Sequence, residues 1–167
     1  ARIVNAKWVN GLVIAQRRQN RRFEFSIPVG YEFRMFEDGD QFYMSKIHEE
    51  AFDEDFSSND YKAWATATNC QIIIAIHHEE PVGFVIAEKR QCGGFGDFNI
   101  AVKPPHQGKG IGSALLKAAF NCLINMKVRN VVADYLVLNA SAHILYQRLG
   151  FKPKRIYNYF LLRPSAT

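Results

Sequence analysis

The chain is an α/β (α+β) domain on a mixed sheet, and three observations predict it. Runs of alternating or β-branched residues recur along the sequence, as at residues 71–77 and 82–88. A long helical stripe of Leu115, Ala119, Cys122 and Met126 follows Gly110. Between these two patterns a strand runs into a glycine-rich turn, which joins them as β–turn–α.

Taken in order, Asn10-Gly11 between apolar residues predicts a type I′ hairpin over residues 8–13. Residues 23–27 (Phe23, Glu24, Phe25, Ser26, Ile27) alternate strictly and predict a strand that ends at Pro28-Val29-Gly30. A strand over residues 31–36 leads through Asp38-Gly39-Asp40 into a helix over 41–52, and a weaker helix over 58–68 follows. Two strands, 71–77 and 82–88, meet around Glu79-Glu80-Pro81. Residues 93–96 read as a loop and 98–102 as a strand stopped by Pro104-Pro105. The long helix from Gly110 comes next, then a strand over 130–138, a helix over 141–149 closed by Gly150, and a last strand over 156–162. The sheet is therefore mixed and flanked by about four helices.

With 167 residues, 48% apolar and 22% charged, the chain has the size and composition of one compact domain. No apolar run reaches the about 20 residues of a membrane helix. Arg17, Arg18, Arg21 and Arg22 follow the short apolar stretch at 12–15, which does not read as a signal peptide. Cys70, Cys92 and Cys122 form no CxxC pair, as expected of a reducing cytoplasm. The five histidines have no metal-ligand spacing, so no metal is expected. Residues 1–30 hold six basic residues against Glu24 alone, an excess equal to the whole chain's net charge of +5. They read as a basic N-terminal extension and residues 31–167 as the main domain. The arginines lack an accompanying aromatic stacking pattern, so nucleic acid is not expected as a partner.

The most informative segment is Val102-Lys103-Pro104-Pro105-His106-Gln107-Gly108-Lys109-Gly110-Ile111-Gly112-Ser113. Glycines let the backbone curl so that successive N–H groups face one concavity. The first N–H groups of the helix also have no partner within it. Together they suit a pyrophosphate, with Lys109 at the rim. A bare connection without a ligand is the alternative, but three glycines at a helix start are unfavourable unless close backbone approach is wanted. The Walker pattern GxxxxGK[ST] and the dinucleotide pattern GxGxxG both fail here.

This segment resembles the acyl-CoA signature of the GNAT superfamily of N-acetyltransferases, Gln/Arg-x-x-Gly-x-Gly/Ala, met by Gln107, Gly110 and Gly112. A second stretch, from Asn139 through Ala142 and Tyr146 to Gly150-Phe151, is similar to that family's Asn-x-x-Ala-x-x-x-Tyr-x-x-x-Gly-Phe. The resemblance covers about residues 31–163. It implies a mostly antiparallel central sheet, acetyl-CoA as acyl donor and a primary amine as acceptor. It further implies that pantetheine lies along Ile100, Ala101 and Val102. The pyrophosphate would rest on Gln107, Gly108, Lys109, Gly110, Ile111, Gly112 and Ser113, with Asn139 as a helix cap and secondary contact.

By the same resemblance Tyr146 is the general acid, since a donor of pKa about 10 can protonate a departing thiolate. A packing tyrosine is the alternative. Asp134, near a position where some relatives carry a glutamate, and Glu88 are both candidates for the base, and a water chain is a third. A main-chain N–H near Val102 is the expected donor to the developing oxyanion. The expected activity is acetyl transfer to an amine. A longer acyl-CoA and a non-catalytic acyl-CoA-binding module remain open, as does the acceptor. A homodimer through residues 1–30 is also expected, because an aromatic strand face needs a cover.

Overall fold

The structure, a computed structural model, describes residues 5–18, 21–53, 57–90 and 95–163, with side chains from residue 9 to residue 160. It holds seven strands and four helices: β1 (Asn5–Arg18), β2 (Glu32–Met35), α1 (Asp40–Phe52), α2 (Ser58–Thr66), β3 (Cys70–His77), β4 (Glu80–Lys89), β5 (Phe95–Val102), α3 (Ile111–Asn125), β6 (Asn130–Leu136), α4 (Ala140–Arg148) and β7 (Lys152–Arg163). Hydrogen bonding orders the strands β2-β3-β4-β5-β6-β1-β7. β2 through β5 run antiparallel to their neighbours, β5 and β6 are parallel, and β1 and β7 are antiparallel. This is the mixed, mostly antiparallel sheet with four helices that the sequence predicts. Contacts divide the chain into two compact units, Arg18–Val131 and Ala1–Arg17 with Val132–Thr167.

In the first unit, β-branched runs become the buried middle strands. Ile72, Ile74, Phe84, Ile86 and Ala101 pack with Met44 and Ile47 of α1 and Tyr61 of α2. Each large side chain withdrawn from water here contributes about 2 kcal/mol. The stripe of α3 buries Ile111, Leu115, Leu116, Ala119, Phe120 and Leu123. Two polar pairs sit inside this apolar frame. Arg34 grips Asp40 through two bonds of 2.6 and 2.8 Å, and Asp40 also accepts from the Glu37 N–H, which fixes the chain where α1 begins. The Tyr61 hydroxyl meets His48 Nδ1 at 2.8 Å, and burial pushes its pKa up. The His78–Glu79 turn between β3 and β4 uses positive φ at both residues, 47° and 66°, matching the twist of a tight hairpin.

Two expectations on the N-terminal segment are corrected. The Asn10-Gly11 pair does not reverse the chain. β1 runs straight through it and pairs with β7 from Asn5↔Arg163 to Gln16↔Lys152, with a bulge between Trp8 and Asn10. The Asn10 side chain accepts from the Gly11 N–H, and a Cβ at Gly11 would meet Tyr157 O at 2.8 Å and Val137 Cγ2 at 2.9 Å. The glycine thus serves close strand approach, not a turn. Residues 23–27 form no strand either. Phe23 packs on Phe120 with ring centroids 5.2 Å apart, and Asn121 holds both its N–H and its carbonyl. A side chain that satisfies both backbone groups replaces a ladder. Phe95 and Gly96, read as loop, open β5; Gly93, Gly94 and Cys92 lie outside the described residues.

Candidate active site

In the first unit, β5 delivers the glycine turn. Lys103 donates to Val82 O and Arg90 to Phe95 O, which sets the phase of the β4–β5 ladder. Residues 97, 99 and 101 therefore bond to β4, whereas 98, 100 and 102 turn their main-chain groups to the other edge. Pairing with β6 covers Phe95 and Gly96 among the described residues. Beyond them, the Phe98 N–H is taken by its neighbour Asp97 at 2.8 Å and the Val102 carbonyl by Gln107 Nε2 at 2.9 Å. Among the described residues, the N–H groups of Ile100 and Val102 face that edge without a protein acceptor. Ile100 to Val102 thus offers main-chain donors and the Ile100 carbonyl to an extended ligand, and Gln107 covers the Val102 carbonyl.

A short 3₁₀ turn, Pro104–His106, leads from Lys103 to Gln107. The backbone then takes positive φ at Gly108 (73°) and Gly110 (84°) before α3 begins. The first α3 bond runs from Ala114 N to Gly110 O at 3.0 Å. Gly108, Lys109, Gly110, Ile111, Gly112 and Ser113 precede it, and their N–H groups have no recorded acceptor. Such a run at a helix start, with Lys109 exposed on the rim, fits a pyrophosphate. The residues present therefore suit the phosphate and amide portions of acetyl-CoA.

In the second unit, Asn139 Oδ1 accepts from Ala142 N at 3.0 Å and caps α4. Tyr146 is 7% exposed, its ring 5.3 Å from Tyr135 and 5.6 Å from Phe151. Gly150 takes φ 82° just past the helix, and Phe151 N bonds back to Tyr146 O. Tyr135, Tyr146, Gly150 and Phe151 line a cavity of about 350 Å³ with His143 and Gln147. The Tyr135 hydroxyl meets His143 Nδ1 at 3.0 Å, a contact that no spacing pattern in the sequence signals. Burial pushes the Tyr135 pKa up. Asp134 is exposed on β6 and alternates to the face opposite Tyr135. Tyr146 and Asp134 thus address opposite faces of that strand.

Glu88 belongs to the first unit. It is half-buried on β4 opposite Asp97, with Asn69 Nδ2 at 3.4 Å. That is three residues past Val85, the partner of Ile100, or roughly 10 Å along the strand. Among the described residues, no group of three or more His, Cys, Asp or Glu could hold a metal, and no helix is long and apolar enough to cross a membrane.

An α/β domain in which a strand edge of main-chain donors runs into a glycine turn, whose N–H groups meet no acceptor among the described residues, has the arrangement to suit a phosphate-bearing ligand. The family model for the acetyltransferase (GNAT) domain matches residues 68–153, and the chain belongs to this family. It is similar to N-alpha-acetyltransferase MAK3 of Arabidopsis thaliana, 30% identical over 53% of this chain and 48% of the plant protein. The GCN5-related N-acetyltransferase of Sphaerobacter thermophilus shares its fold at TM-score 0.77 and 21% identity, over 96% of this chain and 54% of that one. So does yncA of Salmonella typhimurium, solved with its cofactor acetyl-CoA, at TM-score 0.66 and 19% identity over 82% and 96% of the two chains. The chain spans about half the length of the curated plant relative it matches.

Proposed function

We propose that the chain transfers acetyl from acetyl-CoA to a primary amine by direct attack of the amine on the thioester. The observation that carries this reading is the run of unpaired N–H groups from Gly108 to Ser113, continuous with the free edge of β5. Acetyl-CoA supplies an acyl carbon already activated as a thioester. The chain's own part is to bind, orient and move protons. Residues 108–113 hold phosphate oxygens through main-chain donors. The N–H groups of Ile100 and Val102 align the amide arm and donate to oxygen as charge develops there.

Tyr146 is assigned as the acid that gives its phenolic proton to the departing sulfur. Asp134 is assigned as the base that takes a proton from the incoming ammonium, and Glu88 is the competing candidate. Attack and departure occur at the same thioester carbon, so with Tyr146 and Asp134 on opposite strand faces the proton from the ammonium reaches Asp134 through water. The resemblance to N-alpha-acetyltransferases favours the α-amino group of a polypeptide N-terminus as acceptor. A cytoplasmic setting fits the free thiols of Cys70 and Cys122, which burial holds in the protonated form.

The test is a panel of peptides with free and blocked N-termini, together with polyamines, assayed for free-thiol release from acetyl-CoA. Thiol release that follows the free α-amine supports the assignment. Binding of acetyl-CoA with no release across the panel would leave an acyl-CoA-binding module instead.

A further inference from the structure

Residues 28–30 end the stretch that the sequence divides off from the main domain, and the fold seats Pro28, with Tyr31 that follows, beside the glycine turn. Tyr31 N bonds Pro28 O at 3.1 Å, and the Pro28 ring lies 3.8 Å from where a Cβ on Gly110 would stand. The Tyr31 hydroxyl meets His106 Nδ1 at 3.0 Å, directly before Gln107. The Tyr31 ring stacks on His77 at 4.5 Å, and His106 packs edge-on against both.

Protonation follows from the partners. His77 Nδ1 lies 2.7 Å from the Gly30 carbonyl, which can only accept, so that nitrogen carries a proton. In neutral His106 a bare Nδ1 accepts from the Tyr31 hydroxyl. Partial burial, Lys109, His77 and Lys103 all favour that neutral form, and Glu80 opposes it. Lys103 is itself held by Glu80 at 2.5 Å and by Glu50 of α1 at 3.7 Å. His78 completes the group with its ring 4.1 Å from His77. The surroundings of His106 are thus mostly cationic, and the unpaired N–H groups that start two residues later await an anion.

We propose that Tyr31 and His106 are positioning residues of the acyl-CoA site: they brace the start of the phosphate turn, and His106 takes up a proton when phosphate charge arrives. This rests on the acyl-CoA reading given above. A bound pyrophosphate reverses the local potential and favours imidazolium. With its Nδ1 protonated, His106 becomes the donor, and the Tyr31 hydroxyl turns to accept. Affinity therefore rises as pH falls towards the midpoint of free His106, because the bound state holds more protons.

The test uses the full chain and coenzyme A itself, with the His106 ring followed by NMR through a pH titration. The expected result is a higher His106 midpoint with coenzyme A bound. Calorimetry in buffers of different ionisation enthalpy should show fractional proton uptake. From pH 7.5 to 6.0 the Kd should tighten roughly two- to four-fold more in the wild type than in His106→Asn, which carries the ligand's own titration as background. Tyr31→Phe keeps the stack on His77 but removes the hydroxyl that pairs with His106 in both protonation states. The charge-assisted bond of the imidazolium is the stronger one lost, so the midpoint of the free protein should fall.

Equal midpoints with and without coenzyme A, or equal proton uptake in His106→Asn, overturn the coupling. An unmoved midpoint in Tyr31→Phe overturns the brace. Absence of any coenzyme A binding to the wild type instead overturns the acyl-CoA reading, and this inference with it.

Discussion

The Tyr146 ring lies between Tyr135 and Phe151, with its backbone carbonyl bound by Phe151, so it stands in one place. If it is the acid, Tyr146→Phe keeps this packing and removes only the proton. Turnover should fall ten-fold or more, in the roughly 10²–10⁴ range of general acids. The affinity for acetyl-CoA should barely change. Wild-type turnover in that variant would return Tyr146 to a packing role. A second residue matters for stability. Asp40 is 3% exposed and answers both Arg34 and the Glu37 N–H. Asp40→Ala leaves a partly buried guanidinium without its carboxylate, and chemical denaturation should show a loss of about 2–3 kcal/mol. The sequence marked Asp38-Gly39-Asp40 only as a helix start. Its tie to Arg34 depends on how the chain turns between them.

At the scale of elements, the glycine turn was legible because its demands are local. Positive φ at Gly108 and Gly110 is written in the residue type, and so is the apolar stripe that follows. A Cβ at Gly108 meets nothing within 4 Å, and one at Gly110 meets only Pro28 at 3.8 Å. The penalty for Gly110→Val is thus conformational, about 1–2 kcal/mol. The variant should stay folded by circular dichroism yet lose acetyl-CoA affinity by more than ten-fold, because the N–H groups no longer converge. Calorimetry decides it, and unaltered affinity would remove the pyrophosphate assignment. Asn10-Gly11 misled for the opposite reason. The dipeptide is compatible with a turn, but whether it turns depends on β7, more than 140 residues away, which offers β1 a full-length partner.

At the scale of the molecule, β1 and β7 belong to one unit although they lie at opposite ends of the described chain. The sequence divides residues 1–30 off as an extension of the main domain. With β1 paired along β7 and Gly11 O accepting from Val137 N, deletion of residues 1–18 should lower the thermal midpoint by roughly 10 °C or more. Deletion through residue 31 should also weaken coenzyme A binding, because it removes Pro28 and Tyr31. Scanning calorimetry and titration of both truncations separate these effects. The homodimer expected through this segment rested on an aromatic face in need of a cover. Phe23 packs on Phe120 and Phe25 lies 6.5 Å from Phe33, while Phe25 and Ile27 stay exposed, so residues 23–27 form no strand but keep an apolar surface. Charge also regroups: Arg17 shares a unit with Arg148, Lys152, Lys154 and Arg155, whose one acidic residue is Asp134.

What the sequence determined by itself was everything carried by short-range pattern. This includes the strand and helix periods, the proline stop after Val102, the glycine turn, the Asn139 cap and the order of elements from residue 31 onward. These follow from sterics and hydrogen bonding within a few residues. The tertiary structure decided what depends on distant partners. It placed β1 against β7, left the N–H groups of Ile100 and Val102 without a protein acceptor among the described residues, and set Tyr31 on His106 across 75 residues of chain. Such contacts are selected by the packing of whole strands and rings, and no local residue pattern encodes which distant segment will supply the partner.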